Sequence, residues 1–515
     1  MSKIELGLCG EILKEHFGSL VQKVGFVLLS KGRSNLAAIA QSSKLPIKII
    51  RESLFILIQN HQVTFAENTE GMRVVVYYEA NIKEILLRDR FALYISTAST
   101  HLGVNAGLII SKVLEAGYLA PLKLLKSCKL TEKDISACME KLVQGRFVRT
   151  VSAIDSLTIN DKYILEEREA IANTGAGAPL SSTELAKLRK SLAEKRSNYA
   201  QTPSSGTKRK VLDFEEEENR KKLRGDLYSI VHDTNYYAVD FERFHILLRN
   251  DKIAELASQR VNDTAGRLIK AMLDHTYSQL NSCKEPLSPS IRREMIGTLV
   301  RGQELHVHGH SNDPAMEYIE ALVSERAKIV SNLNGTLYAI NLRDSVRVMQ
   351  IDLIESIIQE KFGDVCRRIW RLLYMKQKLD EKQVGKQAMI NNKVARECLY
   401  TMLKEGLVYL QDVPKTMDHS ASRTFFLWYV SIERTCTVLL TNAYKTLHRI
   451  KLRRTKELLD RTLLLEKTNR SDVLSGEAQL TTTDQENLAH LNTVLKKLHI
   501  SEMRIDQMVM LLRDF

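Results

Sequence analysis

The 515-residue chain has little of what builds cross-linked or metal-bound domains. Its seven cysteines, at 9, 128, 138, 283, 366, 398 and 436, form no C-x-x-C pair and follow no regular spacing. This argues against a zinc ribbon or a disulfide framework and fits a reducing compartment. Cys138 and Cys398 sit on apolar stripes and read as small core residues. No apolar run approaches the roughly 18 residues of a membrane span, and MSKIELGLCG at the N-terminus lacks a signal peptide's apolar core. The expectation is a soluble intracellular protein without a membrane partner.

Catalytic signatures are missing too. There is no G-x-x-x-x-G-K-[ST], no H-E-x-x-H and no G-x-S-x-G, and Gly175-Ala176-Gly177 lacks both a later glycine and a preceding strand. His306, His308 and His310 alternate in HVHGHSND, but neither Cys nor paired carboxylates complete a metal site. The expectation is a protein that is not an enzyme, with no catalytic residue, no metal and no cofactor.

What is present is size, charge and a repeating pattern. The length requires several domains. Against 62 Asp and Glu stand 75 Lys and Arg, a net charge of +13, which favours a polyanionic neighbour. In Asp380–Ser431, Val394, Cys398, Leu399, Met402, Leu403 and Leu407 line one stripe of a helix begun by Asn391 and Asn392 and stopped by Gly406. A shorter helix over 381–389 precedes it. The β-branched and aromatic runs Val408–Val413 and Phe425–Val430 follow. Helix, turn, helix, strand, loop, strand is the winged-helix order.

The order recurs. Residues 11–30 read as one amphipathic helix, with further helices over 36–43 and from Pro46 to 60, then strands around 63–66 and 74–78. A second copy follows a helical connector and includes a helix opened by Thr131 and Asp134 and stopped by Gly145. A third takes its helix starts at Ser288-Pro289 and Asp313-Pro314 and its hairpin turn at Asn334-Gly335. The fourth holds both tryptophans, Trp370 and Trp428, which read as core. At the end, Leu488, Leu491, Leu495, Leu498, Glu502, Ile505, Val509 and Leu512 form a heptad seam with one polar position. Its capping box is expected at Thr483 and Glu486, and a long helix over 432–466 is expected to fold back against it.

The expected fold class is mainly α with α+β modules: four tandem winged-helix domains followed by a C-terminal antiparallel coiled-coil helical hairpin. The expected boundaries are 1–82, 83–165, 225–343 and 344–431 for the winged helices and 432–515 for the hairpin. Residues 166–224, with few large apolar residues and charge in blocks, read as a flexible linker or insertion. Its basic clusters suit a nuclear import signal, a nucleic-acid contact or a solvated linker.

GLCGEILKEHFGSLVQKVGFVLL near the start and ARECLYTMLKEGLVYLQDVPKTMDHSASRTFFLWYVS near residue 400 give the chain a family likeness. It resembles the large winged-helix subunit (the C3 family) of the heterotrimer specific to RNA polymerase III, related to the alpha subunit of TFIIE. The resemblance implies a nuclear, non-catalytic subunit docked on the clamp of the largest subunit of the RNA polymerase III core. It also implies a second winged-helix subunit, a small acidic subunit and the initiation factor TFIIIB as partners, with roles in promoter recognition and opening. DNA, single-stranded or promoter, would be held largely without sequence readout. If so, Lys and Arg should neutralise phosphates. The candidates, chosen by clustering, are Lys208, Arg209, Lys210, Arg220, Lys221, Lys222 and Arg224 in the insertion, then Arg292, Arg293, Lys382 and Lys386. A free-standing winged-helix regulator and a winged-helix scaffold of another complex remain open alternatives.

Overall fold

In a computed structural model, residues 2–70, 73–128, 130–173, 182–201, 235–302, 314–325, 327–414, 424–470, 473 and 480–515 are described. The chain divides into two compact units, Met1–Phe244 and His245–Phe515.

The first unit opens with α1 (Lys3–Phe17), where the Ser2 hydroxyl accepts from the Glu5 amide and the Glu5 carboxylate accepts from the Ser2 amide. The apolar period over 11–30 is continuous, yet Gly18, at φ 87°, separates α1 from α2 (Ser19–Lys31). Only glycine enters that backbone region without strain, so the stripe bends there instead of continuing. Then come β1 (Ser34–Asn35), α3 (Leu36–Ser43), α4 (Ile47–Gln59), β2 (Val63–Glu70) and β3 (Arg73–Ala80), the strands forming an antiparallel sheet in the order β1-β3-β2. Ile12, Leu13, Val24, Leu28, Ile39, Ile50, Leu54 and Leu57 are buried, the last three at the helical spacing of one face of α4.

Further helices follow: α5 (Ile82–Leu87), α6 (Phe91–Leu102), α7 (Val104–Ala116), α8 (Pro121–Ser127) and α9 (Glu132–Gln144), the last capped by Thr131. The strand after α9, β4 (Val148–Thr150), pairs with β5 (Tyr237–Val239) in the register Val148 to Val239, so α10 (Ile159–Asn173) and α11 (Ser182–Gln201) fall between the strands of one ladder. The sequence reading groups Tyr237 with the chain that follows it; hydrogen bonding joins it to what came long before. Residues 166–173 and 182–201, expected to be irregular, are helical, and Arg189 Nε donates to Glu167 at 2.7 Å between α10 and α11. Their Ala, Leu, Lys, Glu and Arg content favours helix even without a large apolar face.

A helix, α12 (Phe241–Arg260), leads into the second unit, followed by α13 (Asp263–Thr276), β6 (Ile291–Arg292), α14 (Arg293–Gly302), α15 (Pro314–Ser324), β7 (Val330–Asn332) and β8 (Leu337–Ile340) in the sheet order β6-β8-β7. Ser288 does not cap a helix. Its hydroxyl accepts from the Ile340 amide at 2.8 Å, and the helix waits until Arg293. The next group is α16 (Leu342–Phe362), α17 (Asp364–Lys376), β9 (Lys378–Asp380), α18 (Glu381–Ala388), α19 (Asn392–Lys404), β10 (Tyr409–Pro414) and β11 (Thr424–Tyr429), with sheet order β10-β11-β9. Trp370 and Trp428 are both in its core, and the Trp370 indole donates to the Leu407 carbonyl at 3.2 Å.

The chain closes with α20 (Ile432–Asp460), α21 (Thr462–Thr468) and α22 (Thr482–Arg513). The long helix expected over 432–466 breaks at Arg461, and α22 is capped by Thr481, not Thr483. Arg513 reaches Tyr444 at 3.2 Å and Lys451 reaches Glu502 at 3.0 Å, so α22 runs antiparallel to α20.

Candidate partner and nucleic-acid interface

The helices α4, α9, α15 and α19 each turn an outer face to solvent, and sequence phase decides what that face carries. On α19, Ala395, Leu399 and Met402 point inward. That leaves Lys393, Val394, Arg396, Glu397, Tyr400, Thr401 and Lys404 outside. The turn into α19 is tight: a Cβ on Gly385 would collide with the Asn392 side chain, and Met389, at φ 56°, is 91% exposed. Arg396 is held by Glu381 at 2.7 Å across α18 and α19.

The corresponding face of α4 has another chemistry. Ile50, Ser53, Leu54 and Leu57 are inside, while Ile47, Lys48, Arg51, Glu52, Phe55 and Ile56 are outside, with Phe55 65% exposed. A large ring that far out of the core suits a protein surface better than a phosphate. On α15, Glu317 and Glu320 are exposed and the helix contains no Lys or Arg, which disfavours a phosphate backbone. The outer face of α9 is mixed, with Lys133 and Lys141 beside Asp134.

Of the cations singled out in the sequence, Lys208, Arg209, Lys210, Arg220, Lys221, Lys222 and Arg224 lie outside the described residues, as do His306, His308 and His310. Arg292 is in β6 and Arg293 begins α14; Lys382 and Lys386 are on α18; all four are exposed. Arg292, Arg293 and Lys382 therefore lie at the strand-to-helix entry of the helix before the last one, and Lys386 lies in the last turn of that helix in its own group. In helix-turn-helix docking that helix crosses the nucleic-acid backbone. Lys393 and Lys404 on α19, and Lys48, Arg51 and Phe55 on α4, were not singled out. Subtracting the apolar stripe from each helix would have found them.

Buried charge is treated in two ways. Within the first unit, α4 meets α7 closely enough that a Cβ on Gly117, at φ 80°, would strike the Gln59 carbonyl. His61, Gln62, Glu84, Arg88, Phe91 and Phe241 line a small cavity there. His61 Nε2, Gln62 Oε1 and Arg88 Nε lack a hydrogen-bond partner among the described residues. Burial lifts the Glu84 carboxyl from 4.5 to about 7, opposed by Arg149 and helped by Asp240. Burial, then Arg149, pushes the His61 imidazole below its ordinary value. In the second unit, Glu355 accepts from Arg371 Nε at 2.8 Å and from Arg367 Nε at 3.3 Å. Burial alone would raise it, but the two guanidinium groups hold it below the usual carboxylate range. Among the described residues no cluster of three or more His, Cys, Asp or Glu is arranged to hold a metal, and no helix is long and apolar enough to cross a membrane.

The class defined by this architecture is a helix-rich α+β protein of repeated helix-turn-helix groups with divergent outer faces. Family models give that class a name. Residues 7–68 match the RNA polymerase III subunit RPC82 helix-turn-helix domain, 137–389 match RNA polymerase III subunit RPC82, and 354–430 match the POLR3C C-terminal winged-helix domain. The chain is 28% identical to DNA-directed RNA polymerase III subunit RPC3 of Danio rerio and 28% identical to that of Homo sapiens, each alignment covering 100% of this chain and 98% of the relative. Against the subunit of the same name from Yarrowia lipolytica it is 23% identical, with the same coverage. The chain belongs to the RNA polymerase III subunit RPC82 family.

Proposed function

We propose that this chain is a non-catalytic, nuclear subunit of DNA-directed RNA polymerase III that acts by holding other molecules. The observation that carries the reading is end-to-end collinearity with proteins named RNA polymerase III subunit RPC3, at 100% and 98% coverage. Four tandem winged helices closed by a coiled-coil hairpin form the scaffold. It docks on the polymerase clamp together with a second winged-helix subunit and a small acidic subunit, meets TFIIIB at the promoter and assists opening. The divergent outer faces support a division of labour. The polar, cation-bearing α18–α19 surface suits a phosphate backbone, and the Phe55 surface of α4 suits protein. Arg292, Arg293, Lys382 and Lys386 are the phosphate contacts we assign among the described residues, with the 208–224 clusters joining them.

Affinity purification of the tagged chain from nuclear extract tests the assembly. Co-purification of the largest RNA polymerase III subunit in near-equal amount is expected. A chain recovered alone that selects one duplex sequence tightly would overturn this reading in favour of a free-standing regulator.

A further inference from the structure

The hairpin at the end of the second unit uses only one face of α20. Toward α22 it buries Leu439, Ala443, Leu447, Lys451 and Arg454. On the opposite side Lys445, Arg449, Leu452, Lys456 and Leu459 follow one another at intervals of four, three, four and three residues. At 3.6 residues per turn they fall within roughly 80° of arc. All five are exposed. Leu452 is 44% exposed and Leu459 67%, and Leu463, just past the break at Arg461, is 77% exposed.

Two properties of this stripe constrain what can cover it. The four-three alternation lines the five side chains along one stripe, cationic at Lys445, Arg449 and Lys456 and apolar at Leu452 and Leu459, along which another helix can lie. The charge is of one sign: from Lys445 to Lys456 there are six Lys or Arg and no Asp or Glu. Lys451 and Arg454 are engaged by Glu502, and Arg453 by Glu457, so Lys445, Arg449 and Lys456 are the cations that face outward. A nucleic-acid backbone would satisfy those three and leave the leucines wet. An amphipathic helix with apolar heptad positions flanked by Asp and Glu satisfies both sets.

The geometry points to the outer face of α20 as a docking seam for an acidic amphipathic helix supplied by another subunit, laid along α20 on the side opposite α22. The inference rests on the assembly reading above and names the chemistry of one of its partners.

A benzophenone side chain at position 459, or at 463, in the full chain assembled with the polymerase tests it. Position 446, exposed on the same helix about a quarter-turn away, is the control. The expected adduct from 459 and 463 lies on a peptide with a heptad of apolar residues rich in Asp and Glu, and position 446 gives none. The pair Leu452→Glu and Leu459→Glu should cut recovery of that partner at least tenfold, and Lys456→Glu severalfold. Because these side chains are on the surface, the circular dichroism of the chain should not change. Adducts on nucleic acid or on a basic segment overturn the proposal, as does recovery that falls with Lys456→Glu but ignores both leucine changes. If the polymerase is retained but no adduct forms, only this proposal falls. If every polymerase subunit is lost even from the unsubstituted chain, the assembly reading falls with it.

Discussion

Glu84 in the first unit and Glu355 in the second are glutamates on helices in crowded surroundings, and they titrate in opposite directions. The seam around Glu84 brings helix ends together with their polar groups incompletely matched, so burial dominates and the neutral acid is favoured. Glu355 instead sits between two arginines one turn apart on α17 and is held ionised. Glu502 shares the geometry of two cations on one helix, accepting from Lys451 at 3.0 Å and Arg454 at 2.6 Å. What separates the regions is whether cations at helical spacing meet the carboxylate closely enough to outweigh the burial that pushes both groups up. At Glu84 the first unit is therefore sensitive to rising pH, and at Glu355 the second unit is sensitive to falling pH.

The hardest test of that contrast is Glu502→Ala. It removes the carboxylate shared by Lys451 and Arg454, both buried, and should cost about 3 kcal/mol. Faster hydrogen exchange along α20 and α22 would report it, whereas unchanged protection would show that the pair contributes nothing. Glu84→Gln should act in the opposite sense. A carboxyl raised in the folded state gives stability that is complete below its ordinary 4.5 and lost as pH rises through about 7. At pH 8 the neutral amide should therefore stabilise the first unit, by up to about 3 kcal/mol at 1.4 kcal/mol per pKa unit. Exchange in α5 at pH 6 and pH 8 would show it, and equal protection of the original chain at both would refute the assignment. For Glu355→Gln a loss of about 1 kcal/mol is expected at pH 7, discounted because both arginines are partly solvated. Its stabilisation should be present above the ordinary 4.5 and disappear as pH falls below it. The Gln variant and the original chain should then converge in acid, as urea midpoints would reveal.

The two regions also differ in how far the sequence disclosed them. Helical phase named Leu399 and Met402 in the core of the fourth group, both buried, but put Val394, which is 40% exposed, on the same stripe; Trp370 and Trp428, read as core from their size, are buried, and the heptad marked Glu502 as the odd member of its seam. Its cations Lys451 and Arg454 were hidden because they lie on a different helix, and only folding brings them together. The seam at His61 and Glu84 left no trace in any window, being assembled from the end of α4, α5, α7 and the approach to α12. Pairing of β4 with β5 across α10 and α11 was equally illegible, because a strand of three residues carries no partner label. The breaks at Gly18 and Arg461 show a further limit: periodicity reports which face is apolar and ignores a change of axis direction. Clustering singled out Lys382 and Lys386 as candidate phosphate contacts, but it could not weigh them against the Glu381 and Arg396 pair beside them.

That pair supplies the finest test. If α18 and α19 meet a phosphate backbone, Lys382→Ala and Lys386→Ala should each lower duplex affinity severalfold and reduce the slope of log affinity against log salt by about 0.9. Glu381→Ala should do the reverse, because it releases Arg396 from its 2.7 Å ion pair and removes a negative charge from the same face. Lys48→Ala and Arg51→Ala on α4 should leave the slope where it was, since the Phe55 surface is assigned to protein. Fluorescence anisotropy with one duplex at several salt concentrations measures all five. A slope that responds to α4 and ignores α18 would reverse the division between the two helix-turn-helix surfaces while leaving their folds untouched.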